Sequence, residues 1–523
     1  MPKVAKFFGL LGGTLLLLFA LRWSNALAFN NRQILSIGIF SMFIYGTLLF
    51  GDFRLAFAFG GIALLMICNL LSVERFTQSA SLDVLIFLIG TFLVIGYLEE
   101  SRFFEHVVSG VVGAIGPRPQ RLLLVLMVTA SIASALVGEV TAILFMAGAM
   151  LHLTNRYRLN PVPFVIMLVF ACNTGSAMSS VGNPIGVLIA LKTGLSFMDF
   201  LKWAAPVALV VDVAIYFVCR WWFADAFSGF AQAVHAEFAA LEAARKPALA
   251  LVGAGGGDSA PAQQETPNRS ENVLGETFYS ADVDGPSVNP EARQMFRRCW
   301  IILGGLILLL VTHGLTEHWL GLKEGTMMVA AALVMGCIVL LLSREKAREL
   351  VERRVDWWTL AFFMMLFASV GTLEDTHVTE VIAGRISGSG GSQFATTQLI
   401  GWATGWLSAF LDNVLAVATF MPVVHDIRIK AGVPYSSAIY WFMLFGGTFM
   451  GNMTIIGSTA NIVAVGLLER RGHGTIKFGY WMKIGFIVSI VSMVVATGAL
   501  IALDKMSPHG IPKLDAPQHS INH

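Results

Sequence analysis

Two stretches decide how this chain is read: SALVGEV, Ser134 to Val140, and SAFLDNV, Ser408 to Val414. Each is a run of small and apolar residues interrupted by an acid. Each lies in the middle of a longer apolar stretch, Leu122–Leu153 in one case and Leu399–Val424 in the other. Working outward, Ser180-Val181-Gly182-Asn183 has its counterpart in Ile455-Ile456-Gly457-Ser458, and Asp83 has one in Asp356. Phe200-Leu201-Lys202-Trp203 parallels Trp481-Met482-Lys483-Ile484 at the start of each half's last apolar helix. Features recurring in one order at nearly one spacing mark an internal duplication.

Composition sets the medium. The 523 residues are 56% hydrophobic and 13% charged, against roughly 25% charged in an ordinary soluble domain. Mean hydropathy is +0.71. A soluble fold cannot hide that much apolar surface, so the chain reads as a protein of the lipid bilayer, not as a secreted disulfide scaffold or a nucleic-acid binder. The 35 basic and 33 acidic residues leave a net charge of +2, which offers no long-range attraction to a polyanion. Cys68, Cys172, Cys219, Cys299 and Cys337 lie in or beside apolar stretches without metal-ligand spacing. No metal or organic cofactor is expected, only a transported Na+ or H+.

A bilayer-crossing helix needs about 20 apolar residues. Phe7–Leu21, Ile34–Phe50, Leu55–Leu71, Leu82–Leu98 and Trp203–Phe223 meet or approach that length, as do Trp300–His313, Met327–Leu342, Trp357–Leu373 and Tyr480–Leu500. Val162–Leu191 and Ala438–Leu468 are interrupted by Gly, Ser and Asn and read as broken helices, while Leu122–Leu153 and Leu399–Val424 read as re-entrant hairpins. Irregular backbone is tolerated at membrane depth only where protein or a water-filled cavity covers it. The expected fold is all-α and polytopic, about 11 crossings plus two hairpins. Each of its two repeats holds three scaffold helices, a re-entrant hairpin, a broken helix and a final helix. The number of crossings per half is odd, so the second half enters from the opposite face, which makes an inverted-topology repeat.

The boundaries follow. Residues 1–33 form an N-terminal helix or signal-like segment, in which Ala26-Leu27-Ala28 resembles a cleavage site. Residues 34–223 are the first membrane repeat and 298–503 the second, with a C-terminal tail over 504–523. Between the repeats, 224–297 is an Ala-rich and then Gly/Ser/Pro/Gln-rich linker, expected to be partly disordered. Arg102, Arg121, Arg156, Arg158, Arg353, Arg354, Arg470 and Arg471 fall on the linker's side, and fewer basic residues, among them Arg32, Arg75, Lys192 and Arg385, on the other. By the positive-inside rule the N-terminus and the 224–297 loop are cytoplasmic and the C-terminus outside, in a bacterial inner membrane. Asn268-Arg269-Ser270 matches a glycosylation pattern, discounted on a cytoplasmic loop.

Hairpin tips and helix breaks leave backbone N–H and C=O groups without intrahelical partners. Half-helix N-termini then attract anions, and freed carbonyls with carboxylates hold cations. The small polar residues at these interruptions are the candidate substrate or ion ligands: Ser134, Glu139, Asn173, Thr174, Gly175, Ser176, Gly182 and Asn183 in the first half, and Ser408, Asp412, Asn413, Asn452, Thr454, Gly457, Ser458, Thr459 and Asn461 in the second. A carboxylate at the bilayer centre costs about 2.5–3.5 kcal/mol, so Asp412 and Glu139 are expected to couple protons or bind the ion. Asp412 can also cap the following half-helix. Asp212, mid-helix in PVALVVDVAIYF, has no counterpart in the second half; it is a proton carrier or a helix–helix hydrogen-bonding group. Lys202 and Lys483 read as interfacial anchors, Glu374 and Asp375 as residues in water. Cys172 is a soft-ligand candidate for arsenite, and its alternative is core packing.

SAFLDNVLAVATFMPVV (Ser408 to Val424), followed by GGTFMGNMTIIGSTANIVAVGLLERRG (Gly446 to Gly472), resembles the ion transporter superfamily. That group contains arsenite permeases, D-type sodium/proton antiporters, the P protein and citrate/dicarboxylate symporters, and the second half looks closest to the P-protein and arsenite-permease-like branch. The family pattern N-x-G-G-T-A-T-x-x-G-D-P-P-N is met in the first half by Asn173, Gly175, Gly182 and Pro184, while Asn183 replaces the acid and Gly186 the final amide. The hairpin's usual Asp-Asn pair is Gly138-Glu139 here, so a carboxylate lost at Asn183 is gained at Glu139. The resemblance implies secondary transport by alternating access, and a homodimer.

With no Walker A sequence in the chain, an ion gradient is the expected driving force. Cation (Na+)/H+ antiport is the leading expectation, because a carboxylate that both releases a proton and binds Na+ makes the two ligands compete. The second is a permease for arsenite or another oxyanion or dicarboxylate. A remote third is an intramembrane enzyme or a sensor without flux; no HExxH and no G-x-S-x-G supports it.

Overall fold

Long apolar runs become helices because helical backbone satisfies its own polar groups in lipid. The computed structural model describes residues 3–24, 27, 29–115, 119–236, 290–388, 390–431, 434–508 and 510–514. Among these, nine helices are long and apolar enough to cross a membrane. All but one coincide with the expected spans; the exception, Pro119–Val137, is an arm of the first hairpin. The chain is an all-helical polytopic membrane protein. The only strands among the described residues are the pairs Tyr435-Ser436 and Lys513-Leu514, which join antiparallel.

Several boundaries move. The expected span Leu55–Leu71 is the shorter helix Arg54–Ile67, about 21 Å of rise, stopped where Asn69 takes a φ of +56°. The linker ends sooner than expected, because the helix Pro290–Leu320 begins before the membrane, where Phe296 packs 5.4 Å from Phe103. Residues 224–236 extend the first half as helix, and the tail over 504–514 continues the helix Phe478–Met506 before pairing back. The linker body over 237–289 with Asn268-Arg269-Ser270, the Ala26 and Ala28 positions, and the tail beyond 514 lie outside the described residues. Four shorter helices were not foreseen: Val73–Ser79 and Ala347–Arg354 precede a scaffold helix in each half, and Phe103–Ile115 and Val378–Gly388 follow it.

The halves pack reciprocally. Leu82–Glu100 of the first lies along Thr326–Ser343 of the second, while Trp357–Asp375 of the second lies along Arg54–Ile67 of the first. The two final helices, Phe197–Trp222 and Phe478–Met506, pack on each other. The first crossing is close: a Cβ on Gly90 would stand 2.6 Å from the Ala332 backbone.

Candidate ion-binding site between the halves

The site is built from two hairpin tips and two helix breaks. Pro119–Val137 returns as Glu139–Arg156 through Gly138, whose φ of +90° suits a residue without Cβ. Glu139 thereby opens a helix. In the second hairpin Gln393–Phe410 returns as Asn413–Ala431, and Asp412 Oδ1 accepts the Val414 N–H at 2.9 Å, the expected cap. The first broken helix runs Val162–Gly175, turns through Ser176–Met178 and resumes as Pro184–Thr193, where Asn183 Oδ1 accepts the Gly186 N–H at 2.7 Å. The second runs Ala438–Phe449 and resumes as Thr459–Arg470, where Ser458 Oγ accepts the Ala460 N–H at 3.2 Å.

Each hairpin is fastened to its own broken helix by equivalent bonds. Ser134 Oγ donates to the Cys172 carbonyl at 2.6 Å, and Ser408 Oγ to that of Gly447 at 2.6 Å. Ser179 Oγ donates to the Ala135 carbonyl, and Thr454 Oγ1 to that of Ala409 at 2.5 Å. Thr174 Oγ1 turns back to Phe170 O at 2.9 Å. Gly175 and Gly457 permit close backbone approach, since an added Cβ would lie 2.2 Å from Ser131 O and 2.6 Å from Gly451 O. These bonds and contacts give Ser134, Thr174, Gly175, Ser408, Thr454 and Gly457, all candidates from the sequence, a place in the backbone of the interruptions. They satisfy and pack the broken backbone and do not border the cavity described next.

Other side chains converge across the seam. The Glu139 carboxylate, 6% exposed, receives Ser176 Oγ at 3.1 Å from its own half, and Asn413 Nδ2 and Ser458 Oγ, each at 3.2 Å, from the other. Asn173 Nδ2 donates to Asn452 Oδ1 at 2.7 Å and Asn461 Oδ1 at 2.8 Å, while Asn173 Oδ1 lies 2.9 Å from Ser458 Oγ. The single Ser458 hydrogen therefore serves Glu139 or Asn173, one at a time. Asn183 Nδ2 donates to Ser176 Oγ at 2.9 Å. A cavity of about 240 Å³ adjoins this network, bordered by Gly138, Glu139, Gly182, Asn183, Asp412, Asn413 and Thr459. Both expected carboxylates thus share one space.

Glu99 and Arg354, Asp356 and Thr359, and Arg54 also border it and were not anticipated. Of these only Asp356 figured in the internal repeat, opposite Asp83, and there as a helix opener; for Arg54, Glu99 and Arg354 a charge at the edge of an apolar run was the one available signal. Asp212 is elsewhere, buried on Phe197–Trp222 against the first hairpin and broken helix, with Ser131 of the hairpin beside its carboxylate. Cys172 Sγ lies 3.8 Å from Ala130 O inside the protein, and no cluster among the described residues suits a metal ion. Lys202 is exposed over the Trp203 ring, and Lys483 is exposed, as expected of anchors. Glu374 and Asp375 are exposed at the edge of a second cavity of about 660 Å³.

A search against known families matches the citrate transporter (CitMHS) profile over residues 45–446 and 389–509. The chain belongs to the citrate transporter family. Among family relatives, an uncharacterized transporter of Mycobacterium tuberculosis is 29% identical over 416 residues, 79% of this chain and 84% of its own. The human P protein is 22% identical over 475 residues, which cover 83% of this chain and 55% of that longer one. The crystal structure of the YdaH transporter of Alcanivorax borkumensis is similar in fold, with a TM-score of 0.54, 15% identity, and coverage of 86% of this chain and 90% of that one. The protein is a membrane transporter of the citrate transporter/P protein type, acting on a small solute from within the lipid bilayer.

Proposed function

We infer that the protein exchanges Na+ for H+ at the Glu139 carboxylate. The observation that carries this reading is that Glu139 is held by neutral donors from both halves while Asp412 borders the same cavity. Neutral donors orient a carboxylate without cancelling its charge, and a buried uncompensated charge is costly. A proton or a cation relieves that cost, and the two compete for one group. Surrounding amide and hydroxyl oxygens can stand in for water around a desolvated cation.

On this reading the halves are inverted about an axis near Glu139 and Asn413, and they expose the site to each face in turn. The N-terminus and the 224–297 loop face the cytoplasm of a bacterial cell, the C-terminus faces outward, and the protein is a homodimer. The test is transport by purified protein in liposomes: Na+ or Li+ should drive dequenching of an internal pH dye, and Glu139→Gln should abolish it. No cation-driven proton movement, with flux of an anion instead, would overturn the reading.

Arg54 and Arg354 on the cavity wall favour a second reading, a permease for arsenite or another oxyanion or dicarboxylate. Citrate or arsenite uptake insensitive to Glu139→Gln would select it.

A further inference from the structure

Arg54 opens a helix of the first half, and its side chain reaches the second. Its Nη2 donates to Thr359 Oγ1 at 2.9 Å, and its guanidinium carbon stands 5.1 Å from the centroid of the Phe362 ring. Thr359 is ready to accept because its own hydrogen is spent. Its Oγ1 donates to Asp356 Oδ2 at 2.6 Å, and Asp356 Oδ1 accepts the Thr359 N–H at 3.0 Å. An oriented hydroxyl and an aromatic face therefore aim the guanidinium and leave most of its N–H donors uncommitted.

Arg54 borders the same cavity as Asp412 and Glu139. Arg354 borders it too, but is tied to Glu99 at 3.0 Å and Glu100 at 3.2 Å. Among the described residues Arg54 makes no direct ion pair: the Asp356 carboxylate reaches it only through the Thr359 hydroxyl, and Asp412 and Glu139 border the cavity that it lines.

We propose that Arg54 is a tethered counter-ion that competes with the transported cation for Asp412 and, by pairing with it, keeps the empty site from moving. The proposal rests on the cation-exchange reading above. Carboxylates stripped of proton and cation resist transfer through a low-dielectric barrier at several kcal/mol per ion. A guanidinium fork matches a carboxylate in geometry and in charge. Its anchors, Thr359 and Phe362, lie on the scaffold helix Trp357–Asp375, whereas Asp412 lies at a hairpin tip. A pair between them pins the tip to the scaffold until H+ or Na+ breaks it, which suppresses movement of the empty site and keeps exchange coupled.

The experiment uses the full-length purified protein, wild type beside Arg54→Gln and Arg54→Lys. The Na+-dependent rise in melting temperature reads binding, and passive Na+ leak from liposomes without a pH gradient reads slip. Arg54→Gln should half-saturate at about threefold lower Na+, the scale of one screened ion pair, and should leak. Arg54→Lys, which keeps the charge but loses the planar fork, should fall between it and the wild type. Wild-type half-saturation without leak in Arg54→Gln overturns the proposal.

A folded Arg54→Gln that no longer responds to Na+ also overturns it, because Arg54 would then build the site and not compete for it. Citrate protecting the wild type but not Arg54→Gln would make Arg54 an anion ligand and overturn it as well. If Arg54→Gln does not fold, Arg54→Lys decides: lowered half-saturation supports the proposal and a wild-type value overturns it. A wild type that shows neither Na+ response nor exchange removes the cation reading and this proposal together. A wild type that exchanges, with Arg54→Gln identical to it, removes this proposal alone.

Discussion

Glu139 and Asn413 occupy equivalent places in the two halves, 274 residues apart, and hydrogen-bond each other at 3.2 Å. If the halves are inverted repeats as proposed, matching positions meet where the axis relating them passes. One carries a carboxylate and the other an amide, so what would be a like-with-like contact becomes acceptor and donor. The two stretches therefore differ chemically at the place where they touch.

That placement makes an exchange of the two residues informative. Glu139→Asn should abolish the Na+-dependent rise in melting temperature. Combining it with Asn413→Glu should restore part of that rise, because the carboxylate returns to the same seam from the other side. A double variant as unresponsive as the single one would refute the equivalence.

Glu139→Gln keeps the shape and one acceptor oxygen, able to serve Asn413 and Ser458, and replaces the oxygen facing Ser176 by an N–H donor while removing the charge. Replacing a buried charge with a neutral group of similar volume is often neutral or stabilising. The melting temperature without Na+ should be unchanged or higher, and its dependence on Na+ should vanish. A drop in the absence of Na+ would assign Glu139 a structural role.

The fasteners should behave differently from the site. Ser134→Ala and Ser408→Ala each leave a buried carbonyl, Cys172 and Gly447 respectively, short of a donor. Each should cost about 1–3 kcal/mol in chemical or thermal denaturation. The two losses should be similar, with the Na+ half-saturation left in place.

Gly175→Ala would place a Cβ 2.2 Å from Ser131 O, and that backbone cannot yield without parting hairpin from broken helix. The yield of monodisperse protein should collapse. Gly304→Ala meets nothing within 4 Å and should express as the wild type does. Size-exclusion profiles of the two variants check the contrast.

The bilayer as solvent and the positions of both hairpins and both breaks could be read from residue order. These features are local: an apolar run, a glycine that admits a positive φ at Gly138, an acid able to cap at Asp412. Residue order did not tell Ser408 from Ser458. Both are small hydroxyls at an interruption, yet one faces a carbonyl of its own half and the other faces Glu139 in the opposite half. Nor did it single out Arg54, which belongs to no motif and matters only because Thr359 and Phe362 arrive beside it from the second half. Local patterns follow from the chain's own periodicity. Which polar group meets which follows from how segments hundreds of residues apart are packed, and tertiary structure alone carries that distance.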